Sequence, residues 1–284
     1  MTVVTRFAPS PTGHLHLGHA YSAIFAARVA REARGRFLLR IEDIDQERCR
    51  DDYDAAILED LEWLGLSWEN PVRRQSEHFS DYETALHELE DRDLLYPCFC
   101  SRKEIRAEIR AAGYAPHRVP TGPEGALYPR TCRQLSEMEC TDRIGAGEIF
   151  ATRLKSDLAL KQTGALTWFD RKQGEQIVTM DALGDVVLAR KGSPTSYHLS
   201  VTVDDHLQGV TDVTRGEDLF FASHLHRLLQ ALLGYHEPTY LHHRLITDPQ
   251  GQRFAKRDNA VTLRHLREQG TTPQQIGEQL NVDV

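Results

Sequence analysis

Apolar and polar positions alternate along the first part of the chain so that strands and helices are predicted in turn. Residues 3–8 form a short β-rich run, and residues 17–34 place apolar side chains at helical spacing. Residues 36–42 predict a second buried strand, and the amphipathic segments 51–66 and 77–93 predict two more helices. Strand and helix in this order indicate a doubly wound parallel sheet, which is an α/β fold of the Rossmann type.

The periodicity weakens from residue 96 onwards. Residues 96–146 contain Cys, Pro and Gly at irregular spacing, and this predicts an insertion into the sheet. Strands are expected near 150–160 and 183–190, and residues 197–203 are predicted to be a strand that rejoins the sheet. A strongly amphipathic helix is predicted at 219–233.

These segments predict four parts of the chain. They are the first half of a Rossmann-type domain, an inserted subdomain, the second half of the Rossmann-type domain with a basic loop, and a short helical tail. The expected ranges are 1–95, 96–190, 191–260 and 261–284.

Composition and charge narrow the function classes. The net charge of −8 argues against a protein that coats nucleic acid without specificity, although a local basic patch can still bind RNA. No apolar stretch is long enough to cross a bilayer, and the first residues lack the layout of a signal peptide. We therefore expect a cytoplasmic enzyme, with a monomer as the default state.

Four of the five cysteines fall between residues 98 and 140. An odd number of cysteines without an export signal argues against a disulfide framework. Cys98, Cys100 and Cys132 offer three thiolates, which suit zinc, although small buried apolar roles are the alternative. On chemistry alone the fourth ligand stays open among Tyr128, His117 and Cys140.

The segment RFAPSPTGHLHLGH, residues 6–19, joins the first predicted strand to the start of a helix. Backbone N–H groups and the helix dipole make such a junction a natural phosphate site. His16 and His19 lie three residues apart, so both imidazoles can donate to one phosphate group. Gly18 between them allows a nucleotide to approach the backbone closely. The alternative interpretation is a surface loop with scattered histidines that bind nothing.

A basic loop late in the chain supplies a second half for such a site. Residues 251–257 contain Lys256 and Arg257, and cations on a loop can close over ATP phosphates. Alone, a basic loop is more often solvated surface, but together with the 6–19 segment it predicts an ATP site.

These motifs together resemble the glutamyl branch of the class I aminoacyl-tRNA synthetases. The 6–19 segment is similar to the HIGH signature of the class, and RFAKR, residues 253–257, stands in the place of its KMSKS loop. LLRIEDID and YHLSVTVDDHLQGVTDVTRGEDL match the same branch, in order, over nearly the whole chain. Arg253 and Ala255 depart from the signature, which usually has Lys and Ser at these places, so we expect reduced loop function.

The resemblance implies the members of the site. It assigns His16, His19 and Lys256 to catalysis, and Gly18 and Arg257 with these three to ATP. The glutamate contacts that it implies are Arg6, Ser10, Glu42, Tyr197 and Arg215. Arginines at strand ends suit a carboxylate, and Glu42 suits the ammonium group, because ligands of open α/β sheets bind at that edge. For single members the alternative is a structural ion pair, for example Arg40 with Asp43 or Arg215 with Glu217. Asp204 and Asp205 are expected to be structural or to face a ribose, and not to be catalytic.

The resemblance also implies the metals and the acceptor. Zinc would be bound by Cys98, Cys100, Tyr128 and Cys132, and Mg²⁺ would accompany ATP. The chain ends soon after the 251–257 loop, so we expect no anticodon-binding domain. The similarity is then greatest to enzymes that attach L-glutamate to the queuosine base in the anticodon stem-loop of tRNA(Asp).

Two other functions compete with this RNA-modifying ligase. One is a nucleotidyltransferase that shares the HxGH motif, against which the set of Arg6, Glu42 and Arg215 argues. The other is a non-catalytic or differently specific paralogue. Loss of His16, His19 or Lys256 would favour the non-catalytic form, and all three are present.

Overall fold

The computed structural model describes residues 2–111, 121–123, 125–247 and 261–283 of the chain. Strands and helices alternate in its first part, as predicted. They are β1 (Val4–Phe7), α1 (Leu17–Glu32), β2 (Arg36–Ile41), α2 (Asp51–Trp63), β3 (Glu69–Arg74) and α3 (Phe79–Glu90). The three strands pair in parallel in the order β1-β2-β3.

A second group of elements is built around an antiparallel sheet of order β10-β7-β4. Its members are β4 (Leu95–Cys98), α4 (Arg102–Ala111), β5 (Thr121–Gly122), β6 (Gly125–Ala126), α5 (Glu137–Gly145), β7 (Ala151–Leu154), α6 (Ser156–Thr163), β8 (Thr167–Asp170), β9 (Gly174–Ile177) and β10 (Val187–Ala189). The hairpin β8–β9 does not pair with this sheet, because β8 runs parallel to a later strand of the main fold.

The remaining elements complete the parallel layer. They are α7 (Tyr197–Leu207), β11 (Asp212–Gly216), α8 (Ala222–Leu232), β12 (Thr239–His243), α9 (Leu263–Glu268) and α10 (Pro273–Leu280). Their sheet has the order β11-β12-β8-β9. The start of β11 lies beside β1, where the amide of Thr211 donates to the carbonyl of Val4 at 3.0 Å.

Two hydrophobic cores cover the two faces of the parallel strands. Successive residues of β2 point to opposite faces, so Leu38 packs into one core and Leu39 into the other. The first core joins side chains of α3, α7 and α8, and the second joins α1, α2 and the C-terminal helices. Helical layers on both faces confirm the predicted α/β Rossmann-like fold.

The helical tail is attached directly to the 6–19 segment. Thr262 forms a β-bridge with His16, and the amide of Leu263 donates to the carbonyl of Leu15 at 2.8 Å. Leu263 and Ile276 are fully buried in the second core. The tail therefore fixes the position of the turn that precedes α1.

One predicted strand is wrong. Residues 197–203 form the first part of helix α7, although their β-branched alternation is typical of a strand. The residues from His198 to Asp205 are all buried, so the polar face that normally reveals helical period is missing. The expected strand at 150–160 is also shorter, because β7 ends at Leu154 and α6 follows.

The sequence analysis missed several strands, among them β3 and β12 of the parallel sheets. β3 carries Pro71 and lies at the edge of its sheet, where proline costs no ladder hydrogen bond. β12 is short and contains two histidines, His242 and His243, which hide its apolar character.

In the described residues, no helix is long and apolar enough to cross a membrane.

Candidate active site

The carboxyl ends of β1, β2 and β11 surround a cavity of about 590 Å³. This is the edge at which open α/β sheets bind their ligands. Every predicted site residue of the catalytic domain that the structure describes lines this cavity. They are Arg6, Ser10, His16, Gly18, His19, Glu42, Tyr197 and Arg215.

The two histidines of the 6–19 segment cap the start of α1. His16 is the N-cap residue, and its Nδ1 accepts from the amide of Gly18 at 3.1 Å. Nδ1 of His19 accepts from the amide of His16 at 3.2 Å, so the two form a reciprocal cap. In the neutral rings this leaves the proton on Nε2 of both. The helix start thus orients two imidazole donors, with ring centroids 3.8 Å apart.

The requirement for glycine at position 18 has a structural reason that the sequence analysis did not predict. A Cβ at this position would lie 3.0 Å from Cε1 of His16 and 3.1 Å from its Nδ1. The missing side chain therefore makes room for the His16 ring itself, in addition to any nucleotide. A larger residue would displace the imidazole from its capping position.

A buried group of charges lies beneath the cavity. Arg40 is fully buried, and its Nη1 donates to Asp205 at 2.9 Å while its Nη2 lies 3.3 Å from Glu42. Asp205 also accepts from Nε and Nη2 of Arg6, and Asp204 lies 3.7 Å from Arg40. The expectation that Asp204 and Asp205 are structural therefore agrees with their contacts. Arg40 pairs with these residues and not with Asp43.

Glu42 is an unusual carboxyl group within this set. It is 8% exposed, and burial raises its pKa to about 7 even though Arg40 and Arg6 oppose the shift. A carboxyl of this kind binds a cation more strongly once it has ionised. Glu42 is therefore suited to receive an ammonium group in the cavity.

Arg215 differs from the other buried arginines in its partners. Its guanidinium donates to Nε2 of His242 at 3.3 Å, to Nδ1 of His226 at 3.1 Å and to Oγ of Ser223 at 2.6 Å. Among the described residues, no carboxylate forms an ion pair with it, and the suggested pair with Glu217 is not made. Arg215 is 5% exposed, so it presents an uncompensated positive charge to the cavity.

Two further predicted residues, Tyr197 and Ser10, lie at the rim of the cavity. Tyr197 begins α7, and burial raises the pKa of its phenol, so the hydroxyl stays protonated at neutral pH. Ser10 lies in the loop after β1 and is exposed. Both also line a smaller crevice of about 140 Å³ that opens beside Glu42.

A cluster of three cysteines and a tyrosine lies between β4 and the 3₁₀ turn at residues 131–134. The sulfur atoms of Cys98, Cys100 and Cys132 all lie within 4.8 Å of one another. The hydroxyl of Tyr128 lies 3.4 Å from the Cys98 sulfur and 3.7 Å from that of Cys100. Zinc–sulfur bonds of about 2.3 Å place thiolates roughly 3.8 Å apart, so three thiols at this spacing fit a zinc ion.

The alternatives for the fourth ligand fare differently. Cys140, on α5, is partly buried against the same cluster, but its sulfur does not belong to the group of three. His117 lies outside the described residues, as do Lys256 and Arg257 of the predicted basic loop. That loop rejoins the described chain at Val261, next to the bridge between Thr262 and His16.

Comparison with known proteins identifies the family. Residues 2–281 match the family described as tRNA synthetases class I (E and Q), catalytic domain. The chain belongs to this family. It is therefore a ligase, and its parallel sheet is the catalytic fold of a class I synthetase.

Individual relatives of the synthetase carry two kinds of name. A glutamyl-Q tRNA(Asp) synthetase of Rhodobacter capsulatus is 48% identical over 278 residues, which are 96% of this chain and 98% of that protein. A glutamate–tRNA ligase of Aquifex aeolicus is 38% identical over 96% of this chain but only 55% of its own length.

A solved structure extends the comparison. The glutamate tRNA ligase of Elizabethkingia meningosepticum, crystallised in complex with its amino acid, has a TM-score of 0.73 and 29% identity. The match covers 91% of this chain, which spans about half of that structure. The synthetase thus shares the catalytic fold of the longer ligases.

Sequence reasoning missed several residues of the site. Arg40 and the histidines 226 and 242 all support the cavity, and the sequence analysis assigned none of them a role in the site. The signal for Arg40 was available, since an arginine in the middle of the apolar run RFLLRI must be paired when it is buried. The histidines on α8 and β12 gave no signal, because only the fold brings those elements together.

Proposed function

We propose that this synthetase uses ATP to activate L-glutamate and transfers the glutamyl group to RNA. The observation that carries the proposal is one cavity that holds the His16–His19 pair beside an ionisable Glu42 and an uncompensated Arg215. Such a cavity offers donors for phosphate, an anion for the α-ammonium group and a cation for a side-chain carboxylate. This is the charge pattern of ATP and glutamate bound side by side.

The reaction needs no covalent intermediate on the protein. The α-carboxylate of glutamate attacks the α-phosphate of ATP in line, the bond to pyrophosphate breaks, and a glutamyl-adenylate forms. Nε2–H groups of His16 and His19 stabilise the charge that grows on the phosphate oxygens. Lys256 and Arg257 are proposed to add further positive charge there. A hydroxyl of the acceptor then attacks the acyl carbon and releases AMP.

Glutamate is proposed to be held by its three charges. The γ-carboxylate pairs with Arg215, whose charge is not compensated, more than with Arg6, which Asp205 already holds with two hydrogen bonds. The ammonium group pairs with Glu42, and the Tyr197 hydroxyl and Ser10 complete the rim. Positioning of the α-carboxylate against the phosphate is then the main contribution of the protein.

The proposed acceptor is the queuosine base in the anticodon stem-loop of tRNA(Asp). Its support is the name of the 48% identical relative, which matches this chain over nearly its whole length. A differently specific or non-catalytic paralogue is the second candidate, because a glutamate–tRNA ligase is also 38% identical.

The proposal is tested by the RNA that accepts glutamate. Purified synthetase should catalyse glutamate-dependent ATP–pyrophosphate exchange without tRNA, and should then transfer labelled glutamate to tRNA(Asp) that contains queuosine. Unmodified tRNA(Asp) is the matched control and should stay unlabelled. Charging of tRNA(Glu) at its 3′ end, with no labelling of queuosine tRNA, would show that the acceptor assignment is wrong.

Metals are proposed to serve in two places. Mg²⁺ accompanies ATP, and zinc is held by Cys98, Cys100 and Cys132 with Tyr128 as the fourth ligand. The Tyr128 hydroxyl also accepts from the amide of Cys132 at 2.9 Å, which holds it beside the thiols. Bound zinc would cross-link β4 to the 3₁₀ turn and so stabilise the proposed insertion, residues 96–190.

Replacing Cys132 by serine is expected to remove the zinc. Wild-type protein should contain one zinc per chain by elemental analysis, and Cys132→Ser close to none, because a structural site rarely survives the loss of a buried thiolate. Cys49→Ser is the matched control, since Cys49 lies outside the cluster. Zinc lost from Cys140→Ser but kept in Tyr128→Phe would instead make Cys140 the fourth ligand.

A further inference from the structure

A chain of hydrogen bonds runs behind Arg215, away from the cavity. Nε of Arg215 donates to Nε2 of His242, and Nδ1 of the same ring lies 2.7 Å from Oδ2 of Asp170. Asp170 is fully buried at the end of β8 and does not line the cavity. In the part of the chain that the structure describes, its link to the cavity runs through His242.

The donors around Asp170 determine the tautomer of that histidine. Oδ1 of Asp170 accepts from the amides of Lys172 and Gln173 at 2.8 and 2.9 Å. Oδ2 accepts from the amide of His242 at 3.1 Å and faces its Nδ1. An ionised carboxylate has no proton to give, so the proton lies on Nδ1 of His242. Nε2 then carries no proton and accepts from Arg215, with the Ser223 hydroxyl as a second neighbour at 3.4 Å.

The second histidine partner is restricted in the same way. Arginine has no acceptor, so Nδ1 of His226, at 3.1 Å from Nη1 of Arg215, must accept. Its Nε2 therefore carries the proton and donates to Nδ1 of His198 at 3.1 Å. Both rings stay neutral, because burial and Arg215 lower the pKa of His242 to about 4 and hold the pKa of His226 well below its usual value.

Because its hydrogen-bond partners are neutral, the positive charge of Arg215 stays available for a ligand. Among the described residues, His242, His226 and Ser223 use three of its five N–H groups, which leaves two, one on each terminal nitrogen. Two N–H groups on the terminal nitrogens form the fork that binds a carboxylate through both oxygens. Arg6 contrasts with this, because its Nε and Nη2 are already taken by a carboxylate.

We propose that Asp170 is a positioning residue for ligand recognition: it fixes the Nδ1–H tautomer of His242, so that Arg215 is held by acceptors without charge and is presented to a ligand carboxylate. The identification of this carboxylate with that of glutamate rests on the proposed function. The tautomer of His242 is independent of that function, so the ligand and the tautomer can be tested separately.

Asp170→Asn is the decisive variant. The asparagine oxygen keeps the two amide donors of Lys172 and Gln173, so its NH₂ group faces His242 in place of Oδ2. The imidazole proton must then move to Nε2, where it opposes the Nε–H group of Arg215. Two buried N–H groups that face each other displace Arg215 from its binding position. We therefore expect KM for glutamate to rise about tenfold to a hundredfold, with kcat changed less than about threefold.

Matched variants separate positioning from structure. Asp212→Asn makes the same change in a buried carboxylate of β11 that pairs with Arg171 and not with His242, and KM should stay unchanged. His242→Gln keeps an acceptor for Arg215 and a donor for Asp170, so KM should rise at most about fivefold. His242→Leu removes both and should resemble Asp170→Asn. All four are compared at a temperature where melting curves show them folded.

The tautomers are read directly from ¹⁵N nuclear magnetic resonance of the histidine rings. We expect Nδ1–H for His242 in the wild type and Nε2–H in Asp170→Asn. An Nε2–H or protonated His242 in the wild type at pH 7, or an unchanged KM in Asp170→Asn, would overturn the inference. Wild-type protein that shows the expected tautomers but no glutamate-dependent exchange would leave the positioning role in place and refute the proposed function.

Discussion

Replacing Arg40 by methionine is expected to lower the free energy of unfolding by about 3–5 kcal/mol. Arg40 is fully buried and contacts Asp205, Glu42 and Asp204. Methionine fills much of the same volume but leaves three buried carboxyl groups without their shared cation. The loss should be visible as a lower midpoint of urea unfolding, with an unchanged slope.

The chain contains a matched control on the same strand. Arg36 begins β2 and forms two hydrogen bonds with Glu69, at 2.6 and 2.5 Å, but both side chains are nearly half exposed. Solvent screens such a pair, so Arg36→Met should cost less than about 1 kcal/mol despite the good geometry. Equal losses for Arg36→Met and Arg40→Met would show that the buried group of charges does not hold the fold together.

The effect of Arg40→Met should also depend on pH. Burial alone would raise the pKa of Asp205, but Arg6 and Arg40 lower it below its usual value in the folded protein. A lowered pKa stabilises the fold above the pKa of the unfolded chain, and that stabilisation is lost as the pH falls. Removing Arg40 weakens this contribution. The difference between variant and wild type should therefore be larger at pH 8 than at pH 4.

The predictable part of this molecule is the part that local patterns encode. The strand–turn–helix around residues 4–32 was predicted because apolar periodicity and the glycine-containing turn act over a few residues. Helix α7 was predicted as a strand, since tertiary burial on all sides removes the polar face on which periodicity depends. Buried helices of this kind require knowledge of the packing around them.

In the candidate site, too, the residues of local motifs were predicted better than the residues that only the fold brings together. Residues in motifs, such as His16 and Glu42, were predicted and do line the cavity. The residues that set their chemistry were not: Arg40 lies under Glu42, and His242 orients Arg215 from a strand 27 positions away. A buried arginine in an apolar strand was a local sign for Arg40, but the contact between His242 and Arg215 joins separate strands, so the sequence contains no local sign of it.

Replacing Glu42 by glutamine is expected to weaken activity and strengthen the fold at the same time. The neutral amide cannot compensate an ammonium group in a buried site, so kcat/KM for glutamate should fall about a hundredfold or more in the exchange assay. Glu69→Gln is the matched control, because Glu69 is an exposed residue of β3 that does not line the cavity, and its kinetics should be unchanged.

The gain in stability should appear only at higher pH. The pKa of Glu42 is raised to about 7 by burial, so in the folded wild type its favourable contribution is complete below about 4.5 and is lost as the pH rises through 7. Glutamine avoids this loss, and Glu42→Gln should exceed the wild type by roughly 3 kcal/mol at pH 8 and by little at pH 4.5.

Ligand binding should follow the same ionisation with the opposite sign. The wild-type affinity for glutamate should rise as the pH passes through about 7, because only the ionised carboxyl attracts the ammonium group, and that of Glu42→Gln should be flat. A variant that keeps wild-type KM and its pH profile would show that Glu42 does not bind the amino acid. A residue that recognises a ligand can lower the stability of the fold because binding requires its charge. If Glu42 had only a structural role, Glu42→Gln would raise the stability at neutral pH without any loss of activity.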